Sequence, residues 1–506
     1  MIRHLFNNLV NRYLLRRYQK IQHFKDHPHA VQSKVLESII GNATPSLYPS
    51  QYGIKPGDNT LPSSLPIVEY NDIETFIIRM LKGESNILTK DTVKWYAKSS
   101  GTSSGVSKYI PVSQKHLKQG HYTSSWDMVT VLYHDDDNPP IFAHKNMLIG
   151  GSISPHPDYP MSNVGDISGI LVHNFPKVGR PFYTPAFETA LIPDWEEKIR
   201  NLVEICSREP VITFAGAPNW ISIILQQMLD HTGEETMQTV WPNARYYIHG
   251  GVNFEPYRSA FDSYFPDKGV RYIEAYNASE GYFAFQDDVT VDGMLLLLDN
   301  DIYYEFVHYS EYDSDDRKVL SLREVVVGEH YVMLITSSSG LWRYTPGDVI
   351  TFVQTAPYRI KVSGRISQYI NVFGEEVMVH NTDEAITQTC IKHQVQMRDY
   401  TVCPIFANAV GQGGHEWIIE FDENPRDITQ FTIDLDTALQ AINSDYAAKR
   451  YKDLALRSLK VNVVHKGTFN KWLKSKGKQG GQTKVPRLSN ERKIVAEVLQ
   501  MDYHLG

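Results

Sequence analysis

The run Ser99-Ser100-Gly101-Thr102-Ser103-Ser104-Gly105, followed by Lys108, concentrates hydroxyls, glycines and one cation in a short stretch. Glycines let backbone N–H groups approach an anion closely, hydroxyls donate to its oxygens, and Lys108 adds positive charge. That is the chemistry of a loop wrapped around phosphates, although the GxxxxGK[ST] order of a Walker A loop is absent. A flexible Ser/Gly linker has a similar composition. Strand signals on both sides place this run inside an α/β region instead.

Three further segments complement it. Tyr276-Asn277-Ala278-Ser279-Glu280-Gly281 follows a strand-like run, Val270 to Ala275. Ligands in α/β sheets gather at the C-terminal ends of strands, and Glu280 offers the hard oxygen donor that Mg²⁺ prefers. Its plainer reading is a strand-to-turn corner with a solvated glutamate. In Gly340 to Val349, Pro346-Gly347 makes a tight turn. Asp348 then opens a strand, placed to accept hydrogen bonds from ribose hydroxyls, with Arg365 following to reinforce it. A hairpin with a turn-capping aspartate reads equally from the segment alone. Gly480-Gly481-Gln482-Thr483-Lys484-Val485-Pro486-Arg487 carries one lysine in a glycine-rich loop, ordinarily a solvated surface residue. Folded over a site, Lys484 would meet an α-phosphate or the carboxylate attacking it.

The elements that must position these segments follow from hydrophobic periodicity. Val31, Val35, Leu36 and Ile39 recur at helical spacing in a helical start reaching about Ile40, and Asn71 to Lys82 reads as another helix. From about Val93, short apolar strands alternate with helices. The strands are Val93 to Ala97, His144 to Ile149, Pro210 to Phe214, Arg245 to Ile248, Val270 to Ala275, Met294 to Leu298 and Tyr331 to Thr336. The helices start at Ser113 (a cap, running toward Leu132), at Asp194 (to Ser207) and at Ala217 (to Leu229). This alternation predicts α/β layers with a mixed sheet. Near Gly364 the pattern breaks. Helices at Asp383 to His393 and Ile433 to Ile442, with strands at Trp417 to Phe421 and Lys460 to His465, then suffice for a small α+β domain. Lys474 to Lys484 reads as a mobile loop.

Composition removes several function classes. A chain of 506 residues, 42% hydrophobic and 21% charged, buries a substantial core and divides into two to four domains. Its three cysteines, Cys206, Cys390 and Cys403, show no CxxC spacing, so neither a disulfide framework nor a structural zinc is expected. A net charge of −8 argues against a general nucleic-acid binder. The N-terminus carries Arg3, Arg12, Arg16, Arg17 and Lys20 among apolar residues, without the uninterrupted apolar core of a secretory signal. It suits a helix packed on the body, and less well one lying on a membrane surface. No segment reaches the roughly 20 apolar residues of a membrane span. A cytoplasmic protein is expected.

Taken in order, the four segments resemble the motifs of the Gretchen Hagen type acyl acid amido synthetases. These belong to the adenylate-forming superfamily of acyl-CoA synthetases, luciferases and peptide-synthetase adenylation domains. Ser99 to Lys108 resembles the family's SSGTS-x-G-x-x-K loop, extended by Tyr109-Ile110-Pro111. Tyr276 to Glu280 is similar to Y-x-x-S-E, and Gln482 to Arg487 to Q-x-K-x-P-R. Leu341 to Val349 resembles a further motif through Arg343, Tyr344, Gly347 and Asp348. Trp241-Pro242-Asn243 and Gly250-Gly251 fit the family's approach to the adenine. The chain departs at Asn277 and Ala278, where plant members usually read Ala-Ser, and at Trp342, where Tyr is common. With its shorter length, this resembles the bacterial-type branch.

The resemblance implies an α/β fold with two parts. Residues 1–363 would form a large, luciferase-like N-terminal domain with mixed sheets, binding ATP and acid. Residues 364–506 would form a small, mobile α+β lid. It also implies a monomer that adenylates a carboxylic acid with ATP and Mg²⁺, then passes the acyl group to an amine, such as an amino acid. Ser99, Ser100, Gly101, Thr102, Ser103 and Lys108 would hold the phosphates. Glu280 would hold Mg²⁺, Tyr276, Gly250 and Gly251 would lie near the adenine, and Ser279 would belong to the nucleotide site. Asp348 and Arg365 would bind the ribose, and Lys484 would be delivered by the lid. The acid pocket would lie between about Gly120 and Tyr183. A thiol acceptor, as in acyl-CoA synthetases, and a catalytically silent nucleotide-binding protein stay open. His116, His121, His134, His144, His156 and His173 are equivalent candidates for a general base.

Overall fold

The computed structural model describes residues 2–99, 108–136, 139–251, 254, 258–267, 269–312, 314–366, 369–370, 373–375, 377–395, 397–406, 413–421, 423–453, 456–475, 485, 487–490 and 492–503. The chain opens with helices Ile2–Asp26 and Pro28–Ala43. Leu14, Ile21 and Phe24 of the first are buried. Its Arg17 pairs with Asp127 and, at 2.9 Å, with Asp299, and Lys25 reaches Asp287 at 2.8 Å. The basic start is thus packed on the body, as its pattern predicts. Helix Tyr70–Leu81 forms because Glu69 and Asp72 make a capping box and Ile73, Ile77 and Met80 share its buried face.

In chain order the strands begin with β1 (Trp95–Ser99), β2 (Lys108–Val112), β3 (Lys145–Met147), β4 (Ile153–Pro155), β5 (Asn163–Gly165) and β6 (Tyr183–Thr184). There follow β7 (Val211–Ala215), β8 (Tyr246–His249), β9 (Arg271–Ala278), β10 (Gly281–Phe285) and β11 (Met294–Leu296). Next are β12 (Ile302–His308), β13 (Leu320–Ser321), β14 (His330–Ser337), β15 (Asp348–Thr355) and β16 (Tyr358–Arg365). The last are β17 (Tyr369–Ile370), β18 (Val377–Met378), β19 (Met397–Ile405), β20 (Gly414–Phe421) and β21 (Lys460–Val464).

A 12-stranded sheet carries most of the large domain, in the order β13-β12-β14-β15-β16-β11-β10-β9-β8-β7-β3-β6. From β9 to β6 the strands are parallel, with helices such as Trp195–Cys206 and Pro218–Thr232 as crossovers. From β9 to β13 they are antiparallel. A second sheet, β2-β1-β5-β4, carries Ser99 and Lys108, the two ends of the first chemical segment. The mixed architecture matches the expectation. The small C-terminal domain contains sheet β19-β20-β21 with helices Val379–His393, Ile428–Ile442 and Lys493–Tyr503.

The helix expected from Ser113 is interrupted. Ser113 caps Gln114–His116, accepting from the His116 N–H at 3.1 Å. A π-helical turn, Leu117–Tyr122, intervenes before Thr123–Asp135. β12 and β16 escape a reading by apolar runs because charged residues enter them. Glu305 lies within β12, buried and paired with Arg343 at 2.9 Å. Arg359 of β16 is buried against Asp287. Among the described residues, no helix is long and apolar enough to cross a membrane.

Candidate functional site

β9 and β10 form a hairpin with Ala278 opposite Gly281, so Ser279-Glu280 is its two-residue turn. The second segment therefore sits where one strand's C-terminal end meets the next strand's start. Tyr276, just before the turn, packs on Phe283 with ring centroids 4.8 Å apart. Its phenol donates to the Asp348 carboxylate. That bond joins the second and third segments across the sheet. Asp348 opens β15 opposite Arg365, the last residue of β16, so both stand at the same end of adjacent strands. Arg365 is placed by its backbone.

Gly250 follows β8 and lies against the β9 backbone: a Cβ there would run into the Ala275 carbonyl oxygen, one residue before Tyr276. Gly251 adopts φ +81°, the left-handed region open to glycine. Gly250 thus borders the Tyr276 strand. Trp241 is different. It is fully buried and donates through its indole N–H to the Cys206 carbonyl at 2.8 Å, a core role rather than an approach to adenine.

Ser99 ends β1 and pairs with Lys108, the first residue of β2. The two strands bracket the first segment. Ser100, Gly101, Thr102 and Ser103 lie outside the described residues, as does Lys484. The chain just beyond Lys484 is well anchored at Arg487 and Ser489. Arg487 pairs with Asp399 and stacks over the Tyr400 ring at 4.5 Å. Val402 N–H donates to the Arg487 carbonyl at 2.8 Å, and Ser489 N–H to that of Val402 at 3.0 Å.

Of the third segment's shared residues, Arg343 belongs to the fold. It donates in fork fashion to Glu305, both bonds 2.9 Å, and to the Leu65 carbonyl at 2.6 Å. Glu280 is mostly buried. Among the described residues no group of three or more His, Cys, Asp or Glu side chains is arranged to hold a metal. A single carboxylate fits Mg²⁺, which dehydrates reluctantly and binds through one or two carboxylates plus substrate phosphates.

Two histidines stand behind the hairpin. His116 lies within hydrogen-bond distance of the Glu280 carbonyl oxygen, 3.0 Å, and of Asp301, 3.1 Å. His121 is fully enclosed, its ring edge-on to His116 at 5.2 Å. Burial, with His116 nearby, drives the His121 pKa well below the usual histidine value; contact with Asn277 opposes this without reversing it. Enclosure removes both as general bases for an incoming amine. The sequence leaves His116 level with five other histidines and does not single out Asp301. The available hint is Gly120, where a Cβ would lie 2.6 Å from the His116 ring, and a helical glycine has many causes.

The GH3 family N-terminal domain matches residues 17–199 and 141–270, the central domain 295–365 and the C-terminal domain 380–493. The chain belongs to the GH3 family. Its GH3 relatives include the 4-substituted benzoates-glutamate ligase GH3.12 of Arabidopsis thaliana, 23% identical over 90% of this chain and 92% of that one. Jasmonoyl–L-amino acid synthetase JAR4 of Nicotiana attenuata is 22% identical over 90% of both chains. In structure, a GH3.15 acyl acid amido synthetase superposes with a TM-score of 0.59 at 17% identity, covering 95% of each chain. A 2-hydroxyisobutyryl-CoA ligase gives 0.52 at 12% identity, covering 93% of this chain and 90% of the other. The fold is therefore shared with that CoA ligase.

Proposed function

We propose that this GH3 chain is an ATP-dependent acyl acid amido synthetase. It would adenylate a small carboxylic acid and transfer the acyl group to an amine, an amino acid being the acceptor that the relatives' names favour. The observation that supports this most directly is the Tyr276–Asp348 bond near Gly250, because it joins segments far apart in sequence at the ends of their strands.

A carboxylate is a poor electrophile at neutral pH. Joining it to AMP gives the acyl carbon a good leaving group and divides one difficult transfer into two easier ones. In the first step an acid oxygen attacks the α-phosphorus and pyrophosphate leaves. Ser99, Ser100, Gly101, Thr102, Ser103 and Lys108 are assigned to the β- and γ-phosphates. Tyr276, Ser279, Gly250 and Gly251 are assigned to the adenine side, and Asp348 and Arg365 to the ribose. Glu280 would hold Mg²⁺, which when bound would supply positive charge to offset that of the phosphates. Lys484 would stabilise charge developing in the transition state. In the second step the amine attacks the acyl carbonyl and AMP departs.

We place the division between ATP-binding body and lid at 363/364, beside the end of β16, with lid rotation between the steps. A cytoplasmic monomer with no nucleic-acid partner completes the reading. The acid is assigned to the region between Gly120 and Tyr183, where Tyr122 donates to the Leu171 carbonyl at 2.6 Å and packs near Phe175.

The test is an acid-dependent ATP–pyrophosphate exchange screen, followed by mass spectrometry of products formed with mixed amino acids and CoA. Exchange with amide products is expected. Thioester products alone would transfer the protein to the acyl-CoA synthetases, and absence of exchange with every acid would leave a silent nucleotide binder.

A further inference from the structure

Asp301 is a junction. It is buried, with a left-handed backbone (φ +64°) immediately before β12. One carboxylate oxygen meets His116 Nδ1 at 3.1 Å and accepts from the Ser338 hydroxyl. The other faces the Lys115 ammonium at 3.2 Å. Across the imidazole, His116 Nε2 is 3.0 Å from the Glu280 carbonyl oxygen. A carboxylate thus stands at one ring nitrogen and a backbone carbonyl at the other. Ser113 closes the circuit, its N–H donating to Ser339 Oγ at 3.1 Å.

Three parts of the candidate nucleotide site therefore meet at one buried pair. They are the end of β2, which Lys108 opens, the Ser279-Glu280 turn, and the Ser337 to Ser339 corner that leads into the Asp348 segment. Burial alone would raise the Asp301 carboxyl. His116, with Lys115 and Ser338, more than offsets this and holds it below the usual aspartate range. The π-helical turn beginning at Leu117 and the bare Gly120 make room for the imidazole. Stability does not require such a pair. Apolar residues of similar volume commonly replace a buried polar pair without loss of stability, because desolvation costs about as much as the attraction returns. What the pair supplies is direction, a fixed line from Asp301 through His116 to the turn.

We infer that His116 and Asp301 are positioning residues of the nucleotide site, holding the Ser279-Glu280 turn in register with the phosphate-loop strand and the Asp348 strand so that Glu280 presents its carboxylate to Mg·ATP. This rests on the nucleotide-site reading above. Partners that orient a metal ligand in this way typically matter by roughly 10- to 100-fold in affinity or rate.

The experiment compares the full chain with His116→Gln, Asp301→Asn and the double variant, all checked for folding by circular dichroism. A non-hydrolysable ATP analogue is titrated calorimetrically with Mg²⁺ and with EDTA, and pyrophosphate exchange gives kcat and KM separately. Each single variant is expected to weaken Mg·analogue binding roughly tenfold or more. EDTA binding and the acid KM should change little, and the double variant should be no worse than the poorer single one. A purely structural pair would lower the melting temperature and leave the Mg²⁺-dependent gain in affinity intact, which would overturn the inference, as would losses that add. Ser338→Ala removes one donor to Asp301 without deleting a charge, and is expected to produce the same Mg²⁺-specific loss at smaller size should Asp301→Asn not fold. A parental affinity in that variant counts against the inference. If the parent binds Mg·analogue and the variants lose it, but no acid supports exchange, the positioning role stands and the ligase reading fails. If the parent binds no Mg·analogue, both fall.

Discussion

The Tyr276 phenol donates to Asp348, so removing that carboxylate disturbs two of the chemical segments at once. A hydrogen bond to a charged group contributes about 1.5–3 kcal/mol, or roughly 10- to 100-fold in affinity. Asp348→Ala is expected to weaken ATP binding by that factor in calorimetry; equal affinity in mutant and parent would remove the ribose role. Arg343 stands close in sequence and does different work. Its guanidinium and Glu305 are both buried, and deleting one partner leaves an uncompensated charge. Arg343→Ala is expected to cost about 3–5 kcal/mol in urea denaturation, and pairing Arg343→Met with Glu305→Leu to recover most of it. Recovery of stability without the pair would identify this motif arginine as part of the fold.

At the scale of elements, the close approach of β8 to β9 depends on Gly250. An added methyl would meet the Ala275 carbonyl oxygen, and backbone cannot yield as a flexible side chain does. Gly250→Ala is expected to cost about 1–3 kcal/mol of stability and to weaken ATP binding, because the strand it displaces carries Tyr276. Thermal denaturation and calorimetry on one preparation measure both. A variant as stable and as tight-binding as the parent would show that the two strands can separate without consequence. The hairpin turn itself was legible as a corner from Ser279-Glu280-Gly281. That β10 returns beside β9, and so turns Glu280 toward His116, was not, because strand pairing is set by distant partners on the pleated surface.

Across the whole molecule, Lys452 of the small domain pairs with Glu196 of the large one, and buried apolar residues of both domains belong to one hydrophobic cluster. An exposed pair of this kind contributes little by itself. If Lys484 acts on the chemical step, Lys484→Ala is expected to slow pyrophosphate exchange about 100-fold or more while ATP affinity stays close to the parent's. An unchanged exchange rate would remove Lys484 from the mechanism. Backbone bonds at Arg487 and Ser489 tie the chain that follows Lys484 to Val402 of β19.

Local patterns determined much of this protein. The spacing of apolar residues marked the N-terminal helices, the parallel strands from β7 to β9 and the alternation that becomes a mixed sheet, because burial of one face is written directly into periodicity. Four ordered segments likewise carried the family. Tertiary structure alone decided which charged residues belong to the core and which to the site. Glu305, Arg359, His116 and Asp301 look like surface residues until their partners, far away in sequence, are brought beside them. A charge is stable inside a protein only in company, and no local pattern records who that company will be.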